Sequence, residues 1–177
     1  MANDLILIIG GTNQGKSYFT KEAIAKNGSL PVFVYDVQNC YGPTSTKPGD
    51  IITNLPVHTT ERRCRWYGNS ETFLQHALKR RNTTIVFEEA TAFFEGRTSQ
   101  DMRQLIINKH HHKNTIICMF HSISSVPPRI MQLADIVVLF KTGDEENEVK
   151  RKYCKCLAAF LKLRTMPERS RLTIKNV

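Results

Sequence analysis

The sequence has no hydrophobic run long enough to cross a bilayer. Its longest apolar runs, "LILIIG" at 5–10, "TIICMF" at 115–120 and "DIVVLF" at 135–140, are each about the length of a strand. It has no internal repeat, which excludes solenoids and propellers, and no low-complexity tract. No basic segment stands ahead of the first apolar run, where Asp4 sits instead, so a secretory signal is not expected. Cysteine is sparse. The five stand at 40, 64, 118, 154 and 156, an odd and scattered set that suits reduced thiols in a cytosol-like compartment. Cys154 and Cys156 lack a second ligand pair, which argues against zinc. Acid is short as well: 16 Asp and Glu against 25 Lys and Arg leave a net charge of +9 at pH 7. Such a balance points to a polyanionic partner, or to no more than a basic surface.

What is present is globular. An apolar fraction of 41% over 177 residues can bury one substantial core. The expectation is a single domain over 1–177, with its core at about 4–142 and a C-terminal helix and short strand over 143–177. "LILIIG" and "LPVFVYD" are continuously apolar, the mark of strands buried on both faces. Residues 16–26 read as a helix stopped by Asn27 and Gly28. Prolines 43, 48 and 56 make 38–60 mostly loop, with a short extended piece at most. "RCRWYG" is a further strand candidate. Ser70 then caps a helix through Phe73, Leu74, Ala77 and Leu78. "TTIVFEEA" is a strand ending in acids, Ser99 opens a helix through Met102, Leu105 and Ile106, and "NTIICMFHS" is the next strand. Pro127 and Pro128 start a short helix, "DIVVLFKTG" is a core strand, and "DEENEVKRKYCKCLAAFLKL" reads as one helix before a terminal strand in "RSRLTIKN". Strands separated by helices imply right-handed crossovers and a mostly parallel sheet with helices on both faces.

"GGTNQGKS" at 10–17 completes the phosphate-loop pattern between a buried strand and a helix. Gly10 and Gly15 let the backbone curl so that successive N–H groups face a phosphate chain, and Gly11 adds freedom. Lys16 offers a point charge to the terminal phosphates, the Ser17 hydroxyl can ligate magnesium, and the helix start presents its positive end. The cradle is read as Gly10, Gly11, Thr12, Asn13, Gln14, Gly15, Lys16, Ser17 and Tyr18, holding ATP with Mg2+. With the strand alternation this gives an α/β, P-loop NTPase fold of the RecA-like (ASCE) kind. "TIVFEE" supplies the second acidic strand: Glu88 for magnesium, directly or through water, and Glu89 as general base on the attacking water. Two acids favour hydrolysis over transfer to a small acceptor. His121, at the end of "TIICMF", would lie between the phosphate loop and the acidic strand as a sensor of the γ-phosphate.

Four segments, "GGTNQGKS", "VFVYDVQNCYG", "IVFEEA" and "NTIICMFHSISSVPPRIMQLADIVVLFKT", make the chain resemble the genome-packaging ATPases of tailless, often membrane-containing viruses in the HerA–FtsK superfamily. Asp36 and Tyr41 fit the habit of that superfamily's second strand. Glu88-Glu89 and His121 depart from it, since Asp-Glu and Gln are common at those positions. The resemblance spans roughly 4–142 and implies a homo-oligomeric ring, a pentamer or hexamer, that threads double-stranded DNA using ATP. It also implies docking on capsid vertex proteins and residence in host cytoplasm and virion. In such rings an arginine from the neighbouring subunit completes the site; Arg97, Arg103 and Arg129 are the candidates. The clusters "RRCRW", "KRR", "KHHHK" and "KRK" are available for DNA phosphates, although "KRR" also suits a helix end and "KHHHK" a solvated loop.

Two other readings share the loop. A filamentous-phage assembly ATPase of the zonula-occludens-toxin type normally carries a transmembrane segment, for which there is no candidate here. A small nucleoside or nucleotide kinase usually has an arginine-rich lid, to which "RSRL" at 169–172 is a poor match. A non-catalytic nucleotide switch is disfavoured by intact Lys16, Ser17 and Glu89.

Overall fold

The computed structural model describes residues 3–26, 31–36, 50–52, 63–66, 69–94 and 98–175. The strands are β1 (Leu5–Ile9), β2 (Val32–Tyr35), β3 (Asp50–Ile52), β4 (Arg63–Trp66), β5 (Thr84–Phe87), β6 (Thr115–Phe120), β7 (Ile136–Phe140) and β8 (Arg171–Lys175). They form one sheet in the order β3-β4-β2-β5-β6-β1-β7-β8. Every pairing is parallel except β7 with β8, where Val137 opposes Ile174 in antiparallel register. The mostly parallel sheet expected from the alternation is therefore present, and β3 is the short extended piece allowed within 38–60.

Burial on both faces follows from the side-chain alternation of the strands. Ile6, Ile8, Val86, Ile117, Met119, Val138 and Phe140 share one face, packed under Phe19 and Ile24 of α1 (Lys16–Lys26). Leu5, Leu7, Ile9, Ile85, Phe87, Ile116, Cys118 and Phe120 share the other. There they meet α2 (Ser70–Leu78), α3 (Thr98–Ile107), α5 (Pro128–Leu133) and α7 (Cys154–Thr165). A short α4 (Lys109–His112) leads into β6, and α6 (Glu146–Lys152) precedes α7. An aromatic group braces β2 and β5 from behind: Phe33 stacks on Phe73 at 4.4 Å, and Phe93 meets Tyr35 and Phe87 edge-on at 4.8 and 4.7 Å.

Three local expectations are corrected. The cap of α2 is Asn69, whose side chain accepts from the Thr72 N–H at 3.1 Å, rather than Ser70. "KHHHK" is one helical turn, not a solvated loop, and Lys109 is buried against Asp135 at 3.2 Å. The C-terminal stretch is two helices because Tyr153 leaves helical geometry (φ −144, ψ 55) and its hydroxyl donates to the Val126 carbonyl.

Candidate active site

The sheet order sets the site before any side chain is considered. β6 lies between β1 and β5, so the loop after β1, the residue after β6 and the acids after β5 emerge side by side at the strands' carboxyl ends. Alternation then carries Val86 to Glu88 and Met119 to His121 on the face that α1 covers.

The loop is anchored at both flanks. Gly10 N–H donates to Phe120 and Gly11 N–H to Lys141, at 3.1 and 2.8 Å. A Cβ on Gly10 would meet the Phe140 Cβ at 2.6 Å, so the strand end comes too close for any other residue. Asn13 and Gly15 take positive φ, 61 and 94, which turns the chain back so that α1 starts with the Phe19 N–H on the Gly15 carbonyl at 2.9 Å.

Lys16 is buried and curls over its own loop, donating to the carbonyls of Gly10 and Gly11 at 2.6 and 2.9 Å. Burial lowers its pKa from the ordinary lysine value, and the carboxylates of Glu89 and Glu88 pull it partly back. Ser17 Oγ donates to Glu88 Oε1 at 2.8 Å. His121 lies between the charges, with Nε2 at 2.8 Å from Glu89 Oε2 and Nδ1 at 3.5 Å from Lys16 Nζ. The Ser17–Glu88 pair is a set of hard oxygen donors, the kind magnesium accepts from protein when phosphates supply further ligands. These residues fit that ion. Asp36 is fully buried at the end of β2, where the Glu88 N–H donates to the Tyr35 carbonyl at 3.2 Å.

Thr12, Asn13, Gln14, Gly15, Lys16, Ser17 and Tyr18 line one cleft of about 700 Å³ with Glu88 and His121. That volume suits a nucleotide. Arg103 and Arg129 are exposed on α3 and α5 and do not line this cleft; Arg97 and Tyr41 fall outside the described residues. Two residues that sequence reasoning set aside do line it. Arg169 and Arg171 of "RSRL" reach it because β8 pairs back onto β7. The basic character of "RSRL" was legible; its arrival at the loop was not, since that depends on a strand pairing with no local signal.

Loop, acids and strand order together define a P-loop NTPase fold. Among solved structures, the chain is similar to the genome-packaging NTPase B204 from Sulfolobus turreted icosahedral virus 2 in complex with AMPPCP. The TM-score is 0.79 at 15% identity, over 98% of this chain and 92% of that one. B204, the DNA-packaging ATPase from Sulfolobus turreted icosahedral virus, matches with a TM-score of 0.75 at 19% identity, over 98% and 92%. The N-terminal domain of zonular occludens toxin from Neisseria meningitidis matches with a TM-score of 0.54 at 14% identity, over 81% and 79%. No family profile and no curated protein matches the sequence. No described helix is long and apolar enough to cross a membrane.

Proposed function

We propose that this chain hydrolyses ATP to translocate double-stranded DNA, packaging a viral genome into a preformed capsid as a homo-oligomeric ring. The observation that carries the reading is the convergence of Lys16, Ser17, Glu88 and His121 on one cleft, with Glu89 bonded to His121. The near full-length likeness to the packaging NTPase B204 supports the packaging role.

A triphosphate offers Lys16 charged acceptors in place of the two loop carbonyls, so the ammonium turns from Gly10 and Gly11 to the phosphate chain. Ser17 and Glu88 would hold magnesium, whose charge would help neutralise that of the phosphates during transfer. Glu89 takes a proton from water as the water oxygen bonds to the γ-phosphorus. The bridging P–O bond breaks, and ADP leaves with its electron pair. His121, bonded to Glu89, orients that carboxylate. An arginine of a neighbouring copy, Arg97, Arg103 or Arg129, completes the charge stabilisation. DNA meets basic clusters through its phosphates, without sequence preference.

Steady-state hydrolysis with magnesium tests the reading. Lys16→Ala and Glu89→Gln should each lower turnover by at least ~10²-fold. Glu89→Gln keeps nucleotide affinity, because it removes the base and leaves the cradle. Duplex DNA should raise the rate at low salt and lose its effect as salt rises. A rate indifferent to DNA at every salt concentration sinks the translocase reading. The likeness to the zonular occludens toxin domain favours a second reading, a filamentous-phage assembly ATPase. Turnover that responds to lipid vesicles and not to duplex DNA selects it.

A further inference from the structure

We infer that the C-terminal arm, residues 168–171, builds the nucleoside end of the cleft, with the base stacked between Arg171 and Tyr18. This rests on the reading that the loop binds a nucleoside triphosphate. Strand order gives the bound molecule a direction. Glu88 and His121 stand after β5 and β6, on one side of β1, and define the γ-phosphate end. The nucleoside therefore extends to the other side, towards β7 and β8. What waits there is Arg171. Alternation along β8 turns Leu172 and Ile174 to the core and leaves Arg171 on the α1 face, its guanidinium 4.7 Å from the centre of the Phe19 ring. Phe19 is itself braced edge-on by Phe140 at 6.2 Å. Tyr18, 68% exposed, lines the same cleft.

The arm is fastened to the phosphate loop independently of Arg171. The Gln14 side-chain amide donates to Glu168 at 2.9 Å and accepts from the Arg169 N–H at 3.3 Å, and Lys141 donates to Glu168 at 3.2 Å. The wall is thus held in place before a ligand arrives. A guanidinium plane backed by one ring and a second ring exposed nearby both grip the face of a base, not its edge. Every base has such a face, so the site takes purine nucleotides without strong choice between adenine and guanine.

Displacement of a fluorescent nucleotide by ATP, GTP and inorganic triphosphate separates base contact from phosphate contact. Arg171→Lys keeps the charge and loses the plane. It should weaken ATP and GTP about tenfold, roughly one stacked base, while triphosphate affinity stays unchanged. Tyr18→Ala, at an exposed position that does not bear on folding, should do the same. Equal loss for triphosphate makes Arg171 a phosphate contact and overturns the proposal, as does no loss at all. A wild-type preference for ATP over GTP above about tenfold overturns the claim of weak base choice. Failure of the underlying reading looks different: the wild-type chain binds no triphosphate, or Lys16→Ala binds it unchanged.

Discussion

Gly10 shows how one missing atom positions a site. Its backbone lies so close to Phe140 that an added Cβ would sit 2.6 Å from that side chain's Cβ, whereas at Gly11 the nearest atom is 3.5 Å away. Gly10→Ala must push β7 from the end of β1, and overpacking of this kind costs about 1–3 kcal/mol. Thermal unfolding should therefore show a clear drop in Tm for Gly10→Ala and little change for Gly11→Ala. Nucleotide affinity should fall for Gly10→Ala as well, because relieving that clash displaces the loop that carries Lys16 and Ser17. Residues of this sort were legible in the sequence. Gly10, Gly15, Lys16 and Ser17 lie within eight consecutive residues, and Glu88-Glu89 and His121 each directly follow an apolar strand. Arg169 and Arg171 were not, because Gln14 and Glu168 meet across 154 positions through a pairing that no local pattern encodes.

At the scale of elements, the turn after β6 is fixed from outside itself. Asp144, between β7 and α6, accepts the N–H groups of Ile123 and Ser124 at 2.7 and 3.0 Å and so ties down the chain that leaves His121. Burial alone would raise the Asp144 pKa, but the hydrogen bonds from Ser124 and Ile123 outweigh it and hold the carboxyl below its ordinary 3.8. The sign follows. A carboxyl depressed in the folded state stabilises the fold above its unfolded value and loses that contribution as pH falls through the folded one. Asp144→Asn should cost about 1 kcal/mol at neutral pH, allowing for solvent screening at a half-buried group. The Tm gap to the wild type should narrow on acidification below about 3.8; a gap constant across pH rules out the charged clamp. Elements set by their own sequence, such as β1, β5, β6 and α1, could be read from the residues. The break between α6 and α7 could not, since the run of acids followed by bases reads as one helix. What breaks it is the anchoring of Tyr153 to Val126, a tertiary contact 27 residues away.

For the whole molecule, the open question is what completes the cleft. His121 lines it from the β5–β6 side and is bonded to Glu89, while Arg103 and Arg129 project from α3 and α5 and do not line the cleft of their own chain. An arginine that serves catalysis from such a position has to serve another copy. Mixing variants separates the possibilities. Glu89→Gln subunits have an arginine to give but no base; subunits with the acting arginine changed to alanine have a base but receive no arginine from each other. If the arginine acts in trans, each preparation alone is nearly inactive, by ~10³-fold or more. A mixture regains turnover wherever an arginine-bearing subunit abuts an intact cleft. With random assembly that pairing arises at about a quarter of the sites, so recovery should approach a quarter of the wild-type rate, given the trans arginine's worth. An arginine acting on its own cleft yields no recovery at any ratio, because neither subunit then has a whole site. Running Arg97→Ala, Arg103→Ala and Arg129→Ala separately names the residue, and repeating the mixture in high salt, where duplex DNA no longer stimulates, shows whether subunit contact depends on DNA.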